Sequence, residues 1–294
     1  MIEKKYELAS SNNKKYVVGI CKKNIINEMY EMKIWCGKDM REISTLFVSV
    51  DLGGARYAIS NDCRYVATAK YEDYEKSTIY VYGVETGNIV FESRSLRRVQ
   101  WLMFVDSETL LVGSENSGIF VYNIISGVCK DTIKGKRFYY NKFSENILLL
   151  EKNKIKYNNI IYKSSTFSFL SATGTPEGLL VSEVNGDLIY YNDNGNLRWK
   201  TDCQELGHFI DVHYDEGKNK IYGVLLNPRK KGNERMHILI LNGETGTIVG
   251  VNSVETASYA FVDNSECVLL VNGNGGIYTF RNNSVENLSG RFLC

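Results

Sequence analysis

A two-strand unit recurs seven times along the 294 residues, and a unit repeated at this spacing commits a chain to an architecture of stacked copies. Each copy is an alternating apolar run, a polar turn and a second short strand. The seven read MKIWCGKDMREI, IYVYGVETGNIVF, IFVYNIISGVCKDTI, KIKYNNIIY, LIYYNDNGNLRWK, ILILNGETGTIVGV and IYTFRNNSVENL. Their turns fall near Gly37, Gly87, Gly127, Asn159, Gly195, Gly246 and Ser284, between 32 and 51 residues apart. Upstream of each lies another hairpin, with an Asn/Asp/Ser/Glu turn between two apolar strands: ELASSNNKKYVVGI, YAISNDCRYVATAK, LMFVDSETLLVGS, NKFSENILLLEK, FLSATGTPEGLLVS, DVHYDEGKNKIYGVLL and AFVDNSECVLLV.

Every period therefore holds four short antiparallel strands. Such a sheet cannot bury both of its faces alone, whereas copies arranged radially cover one another. Twenty Tyr, twelve Phe, twenty-five Gly and only two Pro suit short strands and tight turns. Long helical patterns are absent. The expected fold is all-β: a single domain over residues 1–294, a seven-bladed β-propeller of four-stranded antiparallel blades. The chain is expected to begin with the first strand of blade 1, near Tyr6, so that the first and last blades meet by side-chain packing rather than in a shared sheet.

Two stretches carry a family resemblance. SVDLGGARYAISNDCRYVATAKYEDYEKSTIYVYGVETGNIVFE resembles a WD40 repeat with Tyr82-Gly83 at the place of Trp-Asp, and VQWLMFVDSETLLVGSENSGIFVYNIISG follows the same rhythm. LIYYNDNGNLRWK, with Trp199 after the turn glycine, is similar to a quinoprotein-type repeat. No repeat carries both the Gly-His and the Trp-Asp signatures. The resemblance implies the propeller fold, which hosts enzymes and pure interaction platforms alike.

Chemistry-bearing motifs are scarce. Seven scattered cysteines without CxxC spacing read as reduced thiols, and with no apolar leader-like segment a cytoplasmic location is expected. His208, Asp211 and His213 could be taken as metal ligands, but positions 208 and 213 differ by an odd number and fall on opposite faces of a regular strand. NGNGG at 272–276 precedes no helix and NDNGN at 192–196 lacks spaced carboxylates, so both read as turns. Trp35, Trp101 and Trp199 read as aromatics packed between blades. No GxSxG, P-loop or flanked nucleophilic cysteine is present. Neither a metal nor a cofactor is expected.

Charge is balanced, 35 basic against 34 acidic residues, so any charged site must be local. Loops joining blades, and those joining second to third strands, open on one face. On that face are placed RSLRR, KGKR, PRKKGNER and CKKN, while acidic turns such as Asp106 with Glu108 open on the other. Arg94, Arg97 and Arg98 with Lys134, Lys136 and Arg137 form the candidate partner site, at equivalent places just before two innermost strands. No acidic residue lies within 94–100 or 134–137 to neutralise them, although solvated surface charge is the simpler account. The favoured function is a non-catalytic scaffold, monomeric, presenting a basic face to an acidic protein segment, with neither membrane nor nucleic acid as partner. The alternative is a propeller enzyme of lactonase or lyase type acting on a small molecule at the central channel.

Overall fold

The computed structural model describes residues 6–26, 29–51, 56–72, 76–115, 118–134, 138–141, 143, 146–151, 153–157, 160–163, 167–231, 235–254, 258–262, 267–271, 277–281 and 284–287. These form seven four-stranded antiparallel sheets, each made of consecutive strands in simple up-and-down order. The first contains β1 (Tyr6–Ser10), β2 (Tyr16–Ile26), β3 (Met29–Cys36) and β4 (Glu42–Val48). The second contains β5 (Tyr57–Ile59), β6 (Tyr65–Tyr71), β7 (Lys76–Gly83) and β8 (Ile89–Arg97), and the third β9 (Val99–Phe104), β10 (Thr109–Ser114), β11 (Gly118–Asn123) and β12 (Val128–Ile133). The fourth contains β13 (Phe138–Asn141), β14 (Asn146–Glu151), β15 (Lys154–Tyr157) and β16 (Ile160–Lys163), and the fifth β17 (Phe169–Thr175), β18 (Gly178–Glu183), β19 (Asp187–Asn192) and β20 (Leu197–Asp202). β21 (His208–Asp215), β22 (Lys220–Leu226), β23 (Met236–Asn242) and β24 (Ile248–Val254) make the sixth, and β25 (Ser258–Val262), β26 (Cys267–Val271), β27 (Ile277–Arg281) and β28 (Ser284–Asn287) the seventh. The one helical turn among the described residues is a 3-10 turn at Glu216–Lys218.

The chain divides into two compact units, residues 1–134 with 256–294 and residues 135–255. In the first unit the innermost strands follow one another in space as β25, β1, β5 and β9; in the second they follow as β13, β17 and β21. Innermost strand against innermost strand is the blade arrangement of a β-propeller. Among the described residues β1 pairs only with β2, and it packs on β25 of the last sheet, where the Leu8 N–H donates to Ser258 Oγ at 2.9 Å. Residues 1–5, which would bear on any further pairing, lie outside the described residues.

Packing follows from this geometry. The buried residues fall into five clusters, each shared by two neighbouring sheets, because both faces of a blade are apolar. Tyr6, Leu8 and Trp35 of the first sheet meet Ala260 and Val262 of the last. Phe104, Leu110 and Val112 of the third sheet meet Ala67, Ile79 and Val81 of the second. In the second unit Leu188 and Tyr190 meet Phe209 and Ile221. Side-chain amides add a stitch at one rim. Asn61 accepts the Asn13 N–H at 3.0 Å through its side chain and the Asn13 Nδ2–H at 2.8 Å through its carbonyl, then donates its own Nδ2–H to the Val105 carbonyl at 3.0 Å. Three successive first hairpins are thereby joined.

The repeat in the sequence has a local cause. In five sheets the pairing of third and fourth strands shifts register just before the connecting turn: at Ile34/Trp35, Val81/Tyr82, Val121/Tyr122, Tyr190/Tyr191 and Ile240/Leu241. The turn then closes through a residue of positive φ, which glycine adopts without a Cβ clash. Gly87, Gly127, Gly195 and Gly246 fill that place at φ 69, 71, 76 and 70. The first sheet departs from the pattern. Its Met40, at φ 57, donates to the Cys36 carbonyl as Gly87 does to Gly83, so Met40 rather than Gly37 is the counterpart of the turn glycines.

Two of these glycines separate conformational strain from steric exclusion. A Cβ on Gly127 would approach only Phe91, at 4.0 Å, whereas one on Gly246 would stand 2.5 Å from Trp199 Cε3. Gly127→Ala should therefore cost about 1–2 kcal/mol, the left-handed backbone alone. Gly246→Ala should cost about 1–3 kcal/mol more through overpacking. Chemical denaturation of the two variants beside the parent protein measures the difference.

Candidate functional site

The structure redistributes the basic residues read from the sequence. Strand β8 runs to Arg97, with Lys76 opposite, so Arg94 and Arg97 stand on the outermost strand of the second sheet rather than in a loop. Arg98 alone occupies the connection to β9. Arg94 donates through Nε to Glu92, two residues back on the same strand face, and Arg98 Nη1 lies 4.0 Å from Glu115. Acids outside the window 94–100 thus reach these arginines, a correction to the sequence-based expectation of unneutralised charge. Lys134 is exposed after β12, while Lys136 and Arg137 lie outside the described residues. Lys22 and Lys23 belong to strand β2, not to a loop, whereas Arg229, Lys230 and Lys231 do lie exposed between β22 and β23.

What the fold gathers instead is a cluster around Tyr71. Asp51, Arg56, the ends of β6 and β8 and the start of β7 all lie at one end of the second sheet, because consecutive turns of a meander alternate ends. Arg56, just before β5, is anchored there by its carbonyl, which accepts the Ala69 N–H at 2.9 Å. Its guanidinium carbon lies 4.3 Å from the Tyr71 ring centroid, and that of Arg98 lies 5.2 Å away. Arg98 also donates from Nε to the Tyr71 hydroxyl at 3.0 Å, and that hydroxyl donates to the Val99 carbonyl at 3.3 Å. Asp51 accepts the Tyr71 N–H and so fixes where the strand ends. Arg56 Nε is buried with no hydrogen-bond partner among the described residues.

Charge is concentrated at this end. Lys76 and Arg97, both exposed, are directly opposite across β7 and β8, a like-charge pair that is unfavourable in isolation. Backbone contacts hold the neighbouring connection: Ser114 Oγ donates to the Arg97 carbonyl at 2.9 Å and the Glu115 N–H to the Arg98 carbonyl at 2.8 Å. Four cations, Arg56, Lys76, Arg97 and Arg98, thus lie at this end, with Asp51, Glu72 and Glu115 as acids among the described residues. Stacking on one ring holds the Arg56 and Arg98 side chains extended while leaving guanidinium N–H groups to meet an oxyanion. Sequence reasoning passed over Arg56 and Tyr71, since only the fold brings positions 56, 71 and 98 together.

The opposite end of the first two sheets holds a groove of about 860 Å³, lined among others by Tyr16, Cys36, Arg41, Cys63, Arg64 and Val90. Its chemistry is muted. Arg64 is committed to Asp62, and burial pushes the Cys63 thiol up to about 11, which leaves almost no thiolate at neutral pH. Cys203 is pushed up to about 12 for the same reason, with Asp202 and Asp187 adding to it. Cys21, Cys36, Cys63, Cys129 and Cys203 are all free thiols.

The histidine argument from the sequence needs revision. A bulge between Phe209 and Asp211 resets the alternation of β21, so His208 pairs with Leu226, Asp211 with Val224 and His213 with Tyr222. Partners of equal parity place all three on one face, contrary to the reading of opposite faces. Even so, no three His, Cys, Asp or Glu side chains among the described residues come together as a metal site. NDNGN closes a hairpin through Asn192, whose side-chain oxygen accepts the Asn194 and Asn196 N–H groups, while 272–276 lie outside the described residues. Trp199 joins two blades, stacking edge-on with Tyr190 at 5.5 Å and donating from Nε1 to the Gly243 carbonyl at 3.2 Å.

The chain matches no protein-family model and no curated protein. Among the described residues no helix is long and apolar enough to cross a membrane.

Asp62 gives the fold a defined acid sensitivity. Burial raises its pKa, but hydrogen bonds from Ser60, Arg64 and Ser107 outweigh that and hold it at about 2. A carboxylate whose pKa is lower folded than unfolded stabilises the protein above its unfolded value of about 3.9. That contribution disappears as the pH falls through the folded value. The thermal midpoint of the parent protein should exceed that of Asp62→Asn at neutral pH, and the gap should close between pH 4 and about 2, as followed by circular dichroism.

Proposed function

We propose that the chain is a seven-bladed propeller serving as a non-catalytic interaction scaffold, and that the end of the second sheet bearing Arg56, Lys76, Arg97 and Arg98 captures an acidic protein segment. Seven sheets of one strand order support the blade count. The observation that carries the binding site is the pair of guanidiniums stacked on Tyr71, next to the opposed cations Lys76 and Arg97. A carboxylate entering there accepts bidentate hydrogen bonds from arginines that are already oriented. This retains Arg97 and Arg98 from the basic cluster of the sequence and sets Arg94 aside, since Glu92 already engages it.

An acidic segment suits the site better than nucleic acid. The cations cover a small area at one end of one sheet, and the chain as a whole is nearly neutral, so no extended positive field follows a phosphate backbone. The free thiols of Cys21, Cys36, Cys63, Cys129 and Cys203 agree with a reducing compartment such as the cytoplasm.

Fluorescence anisotropy with a labelled Glu/Asp-rich peptide tests the reading. Arg56→Glu with Arg98→Glu should weaken binding at least about tenfold, equivalent to 1.4 kcal/mol, and flatten its salt dependence. Arg94→Glu should change it by less than about twofold, as expected of an exposed, already paired charge. Equal binding by the double variant, or stronger capture of a single-stranded oligonucleotide than of the peptide, would remove this assignment.

A further inference from the structure

Arg56 and Arg98 reach the Tyr71 ring from two separate segments, the first just before β5 and the second between β8 and β9. Their guanidinium carbons stand 4.3 and 5.2 Å from the ring centroid. The two charges therefore lie within about 10 Å of each other, the screening length of 0.1 M salt, and repel. The chain's own carboxylates leave this repulsion largely in place. Asp51 is turned to the Tyr71 N–H, and Glu115 comes no nearer to Arg98 than 4.0 Å. No acceptor is supplied to Arg56 Nε, which is buried and without a hydrogen-bond partner among the described residues.

We propose that the group captured by these two arginines is a phosphorylated side chain within the acidic segment, an inference that rests on the Tyr71 cluster being the binding site. The number of acceptors decides between phosphate and carboxylate. A single arginine fork satisfies both oxygens of a carboxylate, which leaves the second guanidinium without an acceptor. A phosphate monoester offers three terminal oxygens and carries about 1.5 to 2 negative charges at pH 7, so one group meets guanidiniums arriving from two directions and offsets both. Arginine at both places suits this chemistry, since a stacked, planar fork keeps its N–H edge in a fixed direction where a lysine presents only a point charge. Tyr71 thus acts as a positioning residue: its ring orients both forks, and its hydroxyl accepts from Arg98 Nε at 3.0 Å.

Fluorescence anisotropy with two labelled peptides of one acidic sequence, carrying Glu or phosphoserine at the central position, tests the assignment. The phosphoserine peptide should bind at least about tenfold more tightly at pH 7.5. The second ionisation of phosphoserine lies near pH 6, and all three histidines of the chain fall outside the first unit, so the advantage should shrink to less than about threefold at pH 5. Arg56→Lys keeps the charge but removes one fork, and should likewise reduce the ratio of the two affinities to less than about threefold, whereas Arg94→Lys should preserve it. Near-ultraviolet circular dichroism of each variant confirms that the fold is retained. Equal affinity for the two peptides, with both lost in the double variant Arg56→Glu with Arg98→Glu, would overturn the phosphate assignment and leave the acidic-segment reading standing. Binding of neither peptide would overturn both. Displacement of the phosphoserine peptide by about 1 millimolar inorganic phosphate would identify free phosphate as the ligand and remove the peptide from the assignment.

Discussion

Everything in this chain depends on the burial of one sheet face against the next. A four-stranded sheet of strands this short, apolar on both faces, is not stable in water by itself, and the five buried clusters are all shared between neighbours. Stability is therefore a property of sheet pairs. Aromatic rings support this packing both across and within sheets: Phe91 of the second sheet lies 5.5 Å from Tyr122 of the third, while Tyr6 with Trp35 at 5.6 Å and Tyr190 with Trp199 at 5.5 Å meet edge-on within the first and fifth. Where a second-strand glycine faces such a ring, as Gly19 faces Trp35 and Gly223 faces Phe209, the missing side chain is what admits the aromatic plane.

The same constraint explains how much was legible in the sequence. Inner strands such as β18 and β22 read as continuous apolar runs because both of their faces are buried, and turns repeat Gly because the register shift before them is followed by a left-handed residue. The strand-turn-strand units quoted from the sequence accordingly coincide with paired strands, the weakest among them included, since KIKYNNIIY pairs as β15 with β16. What alternation cannot reveal is an inserted residue. The bulge at Ile210 in β21 inverted the facing of His213 relative to His208, and only the pairing register exposes it.

Side-chain chemistry was less legible than backbone order. Distances along the chain said that Arg94, Arg97 and Arg98 form one basic run, whereas pleating and pairing divide them among Glu92, Lys76 and Tyr71. Charge runs in strands are read in alternation, not in sequence. Conversely, the stack on Tyr71 joins residues up to 42 apart, a relation no local window contains. The Tyr71 cluster lies where strand ends from two blades converge, which makes it a product of blade order rather than of any one repeat.

The seam between the first and last sheets also has a consequence in time. Every other inter-sheet cluster joins sheets that are neighbours in sequence, but the face formed by Tyr6, Leu8 and Trp35 waits for Ala260 and Val262. At translation rates of about 5–20 residues per second, the 250 residues separating Leu8 from Ser258 correspond to roughly 12–50 seconds on the ribosome. Throughout that interval the nascent first sheet carries an apolar face without its native cover. Of the five buried clusters, this seam is therefore the last whose two sides have both been synthesised.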